Sequence, residues 1–191
     1  MRKELKLIVS LTYFFIVGIL IYNVSIGNME FLGYAIFVGL LYFILIKADD
    51  YYKFPPYSIW LFSIWIMTHF LGGAVHINGT RLYDIILIPS LGAPYHILKY
   101  DQLIHAYTYF AISILVYFMM KKHFRNGDNK SLIVFSVLAA IGIGLLNEVI
   151  EFGMVIFADA ADAVGGYYNT ALDLVFNLVG AIIGVWFVSG K

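Results

Sequence analysis

Between Leu7 and Ile26 the chain runs for twenty residues without a charge, and five further predominantly apolar stretches follow it. A helix rises 1.5 Å per residue, so ~20 apolar residues are what a bilayer core of ~30 Å requires. The stretches are Leu7–Ile26, Met29–Ile46, Pro56–His76, Asp101–Met120, Ser131–Phe157 and Thr170–Val188. They are too long for strands and lack the period-two alternation of a half-buried sheet. The expected fold is all-α: a polytopic membrane protein with six transmembrane helices in a single domain, residues 1–191. Composition agrees, with 62% hydrophobic and 13% charged residues, whereas soluble domains carry about 25% charged residues. Arg2 and Lys3 precede the first run as in a signal peptide. That run exceeds the ~7–15 residues of such a segment and no A-x-A-like cleavage site follows, so a retained first helix is expected.

Lys and Arg set the expected orientation. Arg2, Lys3, Lys6, Lys47, Lys53, Lys121, Lys122, Arg125, Lys130 and Lys191 fall on one side of a six-span chain, and Arg81 and Lys99 on the other. The positive-inside rule then places both termini in the cytoplasm of a multi-pass cell-membrane protein. Zero net charge gives no general attraction to nucleic acid. Cys is absent, which excludes disulfides, thiolate ligands and a Cys nucleophile.

Most connections are short. Gly27–Asn28 reads as a tight outer hairpin, and Arg125–Lys130, with its Asn-Gly pair, as a cytoplasmic turn. The segment between the third and fourth helices, "INGTRLYDIILIPSLGAPYHILKY", is long and apolar, broken by Pro89 and Pro94. A re-entrant or interfacial lid is expected there, because irregular backbone near a membrane must be shielded or reach the headgroups. "DQLIH" and "DLVFN" each open an outside-to-inside helix, too faint an echo to define a repeat.

The polar residues within the apolar runs are ordered. Asp101 and His105 open the fourth span, Asn147, Glu148 and Glu151 lie in the outer third of the fifth, and Asn169, Asp173 and Asn177 open the sixth. His69 and His76 stand seven apart on the third. Spacings of three, four and seven fall on one helical face, and the topology brings all four sets to one depth. An acidic residue at the bilayer centre costs about 2.5–3.5 kcal/mol, less toward the interface. Asp101, Glu148, Glu151 and Asp173 are therefore expected to share a pocket with water, a cation or a base.

Each feature also has a plainer reading. Glu148 and Glu151 would serve equally as interhelical hydrogen-bond partners, Asp101 as a helix N-cap, and His69 and His76 as packing histidines beside Gly72–Gly73. Asn169, Asp173 and Asn177 would serve as interhelix bonds, and Arg81 would either pair with Asp84 or reach an anionic ligand. His96 and His123 read as surface residues. "GAIIG", Gly180–Gly184, is a GxxxG close-packing motif, assigned to a contact within the chain.

"YDQLIHAYTYF", "NEVIEFG" and "YYNTALDLVFNLVGAIIG", with "THFLGG" before them, resemble the YjdF family of membrane proteins, whose function is unknown. More distantly the chain is similar to VanZ-like proteins, associated with glycopeptide-antibiotic tolerance. The resemblance covers Thr68–Gly184 and falls on Asp101, His105, Glu148, Glu151, Asp173 and Asn177. Relatives read Trp-Asp-Thr where this chain has Tyr168-Asn169-Thr170, so one carboxylate is missing here.

Three function classes fit these residues. The first is a metal-dependent hydrolase or transferase acting on lipid or lipid-linked substrates. Its catalytic candidates are His105, Glu148, Glu151 and Asp173, and its metal ligands come from these together with Asp101 and His69. Asn147, Asn169, Asn177, His76 and Arg81 would complete the polar pocket. Imidazole and carboxylate donors suit Zn, Mn or Mg. The second is a protein that binds lipid or an amphiphile without turnover. The third is a proton-coupled small-solute transporter, since intramembrane Asp, Glu and His also form proton relays; against it, the polar stripes stop near one face.

Overall fold

The computed structural model describes every residue except 28, 92–94, 125–127, 159–165 and 191. Six long helices follow in order: α1 (Lys6–Ser25), α2 (Met29–Tyr52), α3 (Pro56–Ala74), α4 (Tyr100–His123), α5 (Asn129–Ala158) and α6 (Tyr167–Ser189). The architecture is all-α apart from a two-residue hairpin. Five helices are long and apolar enough to cross a membrane: α1, α2, α4, α5 and α6. Ser58, Ser63, Thr68 and His69 and two Trp residues hold α3 below that level of apolarity. The expected Gly27–Asn28 hairpin, the Arg125–Lys130 turn and Pro94 fall wholly or partly outside the described residues.

The helices fall into two compact units, Met1–Phe70 and Leu71–Lys191. In the first, α2 continues six residues past Ile46, where the expected span ended. The charged residues that end an apolar run do not end a helix. Asp49, on this extension, is 1% exposed and receives both ends of the Arg2 guanidinium: Nε to Oδ2 at 2.8 Å and Nη2 to Oδ1 at 2.6 Å. Arg2 also donates to the Phe54 carbonyl. Lys53, in the left-handed region at φ 55°, then stops α2 ahead of Pro55. Within the unit Tyr42 stacks on Phe62 and shares a 2.9 Å hydrogen bond with Ser63.

The second unit holds α4, α5, α6 and the segment that precedes α4. The expected third span included His76, but α3 stops at Ala74. Asn78 and Gly79 have φ of 52° and 82°, the left-handed pair of a tight hairpin turn. They fold β1 (His76–Ile77) back on β2 (Thr80–Arg81) with His76 opposite Arg81. His76 therefore leaves the helix and cannot share a helical stripe with His69. The expected lid is ordered by backbone bonds, among them Leu87 N–H to Leu98 carbonyl and Tyr100 N–H to Ile85 carbonyl, both 2.9 Å. Tyr83 lies against Gly72, where any Cβ would strike its ring.

Helix α6 lies close against α4 because of its glycines. A Cβ at Gly180 would run into the Ala106 carbonyl, and one at Gly184 into the Ser113 hydroxyl and Phe110 carbonyl. The GxxxG motif is thus an intrachain contact, and it fixes which face of α6 meets α4. Asp173, Asn177, Gly180 and Gly184 form one buried stripe on that face. The opposite surfaces stay apolar: Phe14 is 81% exposed, Trp186 75% and Phe157 89%. Aromatic side chains displayed to this extent belong in lipid rather than water.

Candidate metal centre

The N-terminus of α4 is capped from Lys99, whose backbone N–H donates to the Gln102 side chain at 3.1 Å. Asp101 is therefore not the N-cap, and its carboxylate turns elsewhere. One turn later, His105 Nε2 lies 3.8 Å from Asp101 Oδ1. The other ring nitrogen, Nδ1, is 3.0 Å from Asn177 Oδ1 on α6 and 3.9 Å from Glu148 Oε1 on α5. One imidazole thus touches groups from three helices.

Two further amides organise the carboxylates. Asn169 Nδ2 donates to Asp173 Oδ2 at 2.6 Å and to Asp101 Oδ2 at 3.4 Å, bridging α6 and α4. Its own oxygen accepts from Lys99 Nζ at 3.2 Å. On α5, Asn147 Nδ2 donates to Glu151 Oε1 at 2.7 Å, four residues on. Gly144 makes room beneath: a Cβ there would come within 3.1 Å of Asn177 Nδ2 and 3.2 Å of the Tyr109 ring.

Two sets of possible ligands result, Asp101–His105–Asp173 and His105–Glu148–Glu151, each with donor atoms within 4.8 Å of one another. Glu148, Asp173 and Asn177 are 6%, 1% and 0% exposed, so none of them faces lipid. Both Glu148 oxygens, Asp173 Oδ1 and Asn177 Nδ2 are buried without a hydrogen-bond partner among the described residues. Buried anionic oxygens left unpaired are strongly unfavourable unless a proton neutralises them or a cation satisfies them. Hard oxygen donors with one imidazole suit Mg, Mn or Zn.

The sequence-derived candidates therefore divide. Asp101, His105, Asn147, Glu148, Glu151, Asn169, Asp173 and Asn177 meet at one end of the second unit. His69 belongs to the first unit, where its ring packs on Trp65 and Phe70, and it joins neither ligand set among the described residues. His76 is exposed on β1. Arg81 pairs with Asp84 (Nε to Oδ2, 2.9 Å) and lies over the Tyr83 ring. Lys99 was not among the expected pocket residues; its side chain reaches Asn169 across seventy residues of chain. Tyr83 was also missed. Burial first, and then neighbouring Asp101 and Tyr100, hold its phenol well above the ordinary range.

The family relationship covers nearly the whole chain. Residues 5–190 match the family described as predicted membrane protein (DUF2238). The chain belongs to that family. This is the YjdF-like group expected from the motifs; the more distant VanZ-like similarity finds no support. No curated protein and no solved structure matches the chain. The DUF2238 chain is a membrane protein with several helices long and apolar enough to span, and its family description names no reaction.

Proposed function

We propose that this DUF2238 protein is a membrane-embedded, metal-dependent hydrolase or transferase acting on lipid or lipid-linked substrates at the non-cytoplasmic face. The observation that carries this reading is the convergence of four carboxylates from α4, α5 and α6 on His105. Asp101, His105 and Asp173, or His105 with Glu148 and Glu151, would hold a divalent cation of the Zn, Mn or Mg class. Such an ion supplies Lewis acidity and a bound water acidic enough to act near neutral pH. Asn169 and Asn147 hold the carboxylates in register, and Lys99 offers a positive charge to an anionic headgroup.

The outer location rests on charge. With six spans and cytoplasmic termini, ten of the twelve Lys and Arg residues are cytoplasmic. If α3 did not cross, Lys121, Lys122, Arg125, Lys130 and Lys191 would move to the opposite side from the other seven, and the bias would nearly vanish. The positive-inside rule therefore favours α3 as a sixth span. In that topology the start of α4, the last third of α5 and the start of α6 all lie at the outer face.

The test is detergent-purified protein assayed for hydrolysis of a phospholipid and polyprenyl-phosphate panel, with metal content measured by elemental analysis. The reading predicts about one divalent ion per chain and turnover lost in His105→Ala. A metal-free wild type with saturable lipid binding would instead support capture without turnover. Proteoliposome uptake abolished by Asp173→Asn would support a transporter.

A further inference from the structure

Resting on the metal reading above, we infer that the cation is held on the Nε2 side of His105, by Asp101, His105 and Asp173, and that Asn177 and Asn169 are the positioning residues that dedicate this set. A ligating imidazole must present a lone pair, and it has one only on the nitrogen that carries no proton. Two oxygens face Nδ1: Asn177 Oδ1 at 3.0 Å and Glu148 Oε1 at 3.9 Å. Nδ1 therefore carries the hydrogen and donates to Asn177. The lone pair is then on Nε2, which faces Asp101 Oδ1 at 3.8 Å. An imidazole N–H given to an amide oxygen behind the metal is the usual way a ligating histidine is oriented.

The carboxylates are sorted in the same sense. Asn169 occupies Oδ2 of both Asp101 and Asp173. Asp101 Oδ1 then lies 3.8 Å from His105 Nε2, and Asp173 offers a carboxylate oxygen within 4.8 Å of the donor atoms of both residues. Asp173 is 1% exposed and its Oδ1 has no hydrogen-bond partner among the described residues. Three donors with free lone pairs thus converge: two carboxylate oxygens and one imidazole nitrogen. Glu148 Oε1 faces the protonated Nδ1 at 3.9 Å, so the set it forms with Glu151 cannot share that nitrogen with a cation.

The experiment uses the full chain in detergent, labelled with 15N-histidine and loaded with Zn2+ as a diamagnetic probe. His105 resonances are assigned by comparison with His105→Ala. The assignment predicts one Zn2+ per chain, a proton-coupled Nδ1 and a zinc-shifted Nε2. Asp173→Asn should weaken Zn2+ binding by about 10- to 100-fold or more, whereas Glu148→Gln and Glu151→Gln should retain it. Asn177→Asp, which keeps an acceptor, should preserve the Nδ1–H signature, and Asn177→Leu should lose it with about 10- to 100-fold weaker zinc binding. Circular dichroism confirms the helical content of each variant. Zinc on Nδ1, or binding lost in Glu148→Gln but kept in Asp173→Asn, overturns this assignment and leaves the metal reading standing. Wild-type protein that binds no Zn2+, with His105 protonated on both nitrogens, overturns both.

Discussion

His105 Nδ1 and Asn177 Oδ1 meet at 3.0 Å across the interface of α4 and α6, seventy-two residues apart in the chain. Three residues after Asn177, Gly180 brings the α6 backbone onto the Ala106 carbonyl. The polar contact and the close backbone approach are one interface, so the candidate site depends on a glycine that never touches it.

Gly180→Val should therefore act as a site mutation at a distance. Overpacking typically costs about 1–3 kcal/mol, and here the obstacle is backbone, which cannot rotate away, so a loss of at least about 3 kcal/mol is expected. Thermal unfolding in detergent checks the stability, and loss of divalent-cation binding checks the site. Gly142→Val is the control, since a Cβ at Gly142 meets nothing within 4 Å.

The first unit offers an independent stability prediction. Asp49 is 1% exposed and Arg2 supplies two of its hydrogen bonds. Arg2→Ala leaves that carboxylate buried and unpaired, with an expected loss of about 2 kcal/mol. Asp49→Asn in the same background should recover part of it, measured as a shift in unfolding midpoint.

Tyr83 predicts alkaline lability. Its phenol is held well above the usual value, so the folded state keeps the proton that the unfolded chain releases near pH 10. That contribution is fully present below about pH 10 and declines as pH rises above it toward the folded value. Tyr83→Phe cannot ionise, and should flatten the fall in midpoint between about pH 9.5 and 11.

Asn169 stands where the resemblance to the YjdF family implies an acid. Asn169→Asp removes the amide that bridges Asp101 and Asp173 and puts a third carboxylate beside those two. Without metal the variant should be less stable than wild type. With saturating Mn2+ the gain in midpoint should exceed that of wild type, because stabilisation by a ligand follows its affinity for the folded state. Paired melts with and without Mn2+ measure both.

Topology is testable in a chain free of cysteine. Thr80→Cys, on the hairpin, should react with a membrane-impermeant maleimide from outside intact cells. Lys121→Cys, at the end of α4, should react only after permeabilisation. The reverse pattern would mean that the orientation is inverted or that α3 does not cross, and labelling of both from one side would exclude α4 as a span.

Much of the site was legible because helical spacing is a local property. Asp101 with His105, Asn147 with Glu151 and Asn169 with Asp173 are all i, i+4 pairs, and each lies on one face as read from the sequence. GAIIG likewise marked the α4–α6 contact. His76 failed for a local reason as well: Asn78-Gly79 is a hairpin signal, and the apolar residues around it outweighed that signal. The end of α2 was missed because a helix continues past the membrane when its charges find partners, as Asp49 does in Arg2. The role of Lys99 was not legible, since its reach to Asn169 spans seventy residues of chain and leaves no periodic trace.

The cation site proposed around His105, built by α4, α5 and α6, can be probed with Mn2+. Electron paramagnetic resonance of the detergent-purified, 15N-histidine-labelled chain should show one bound ion per chain with hyperfine coupling to a single imidazole nitrogen, abolished in His105→Ala. A spectrum of free aqueous Mn2+ without nitrogen coupling would contradict it.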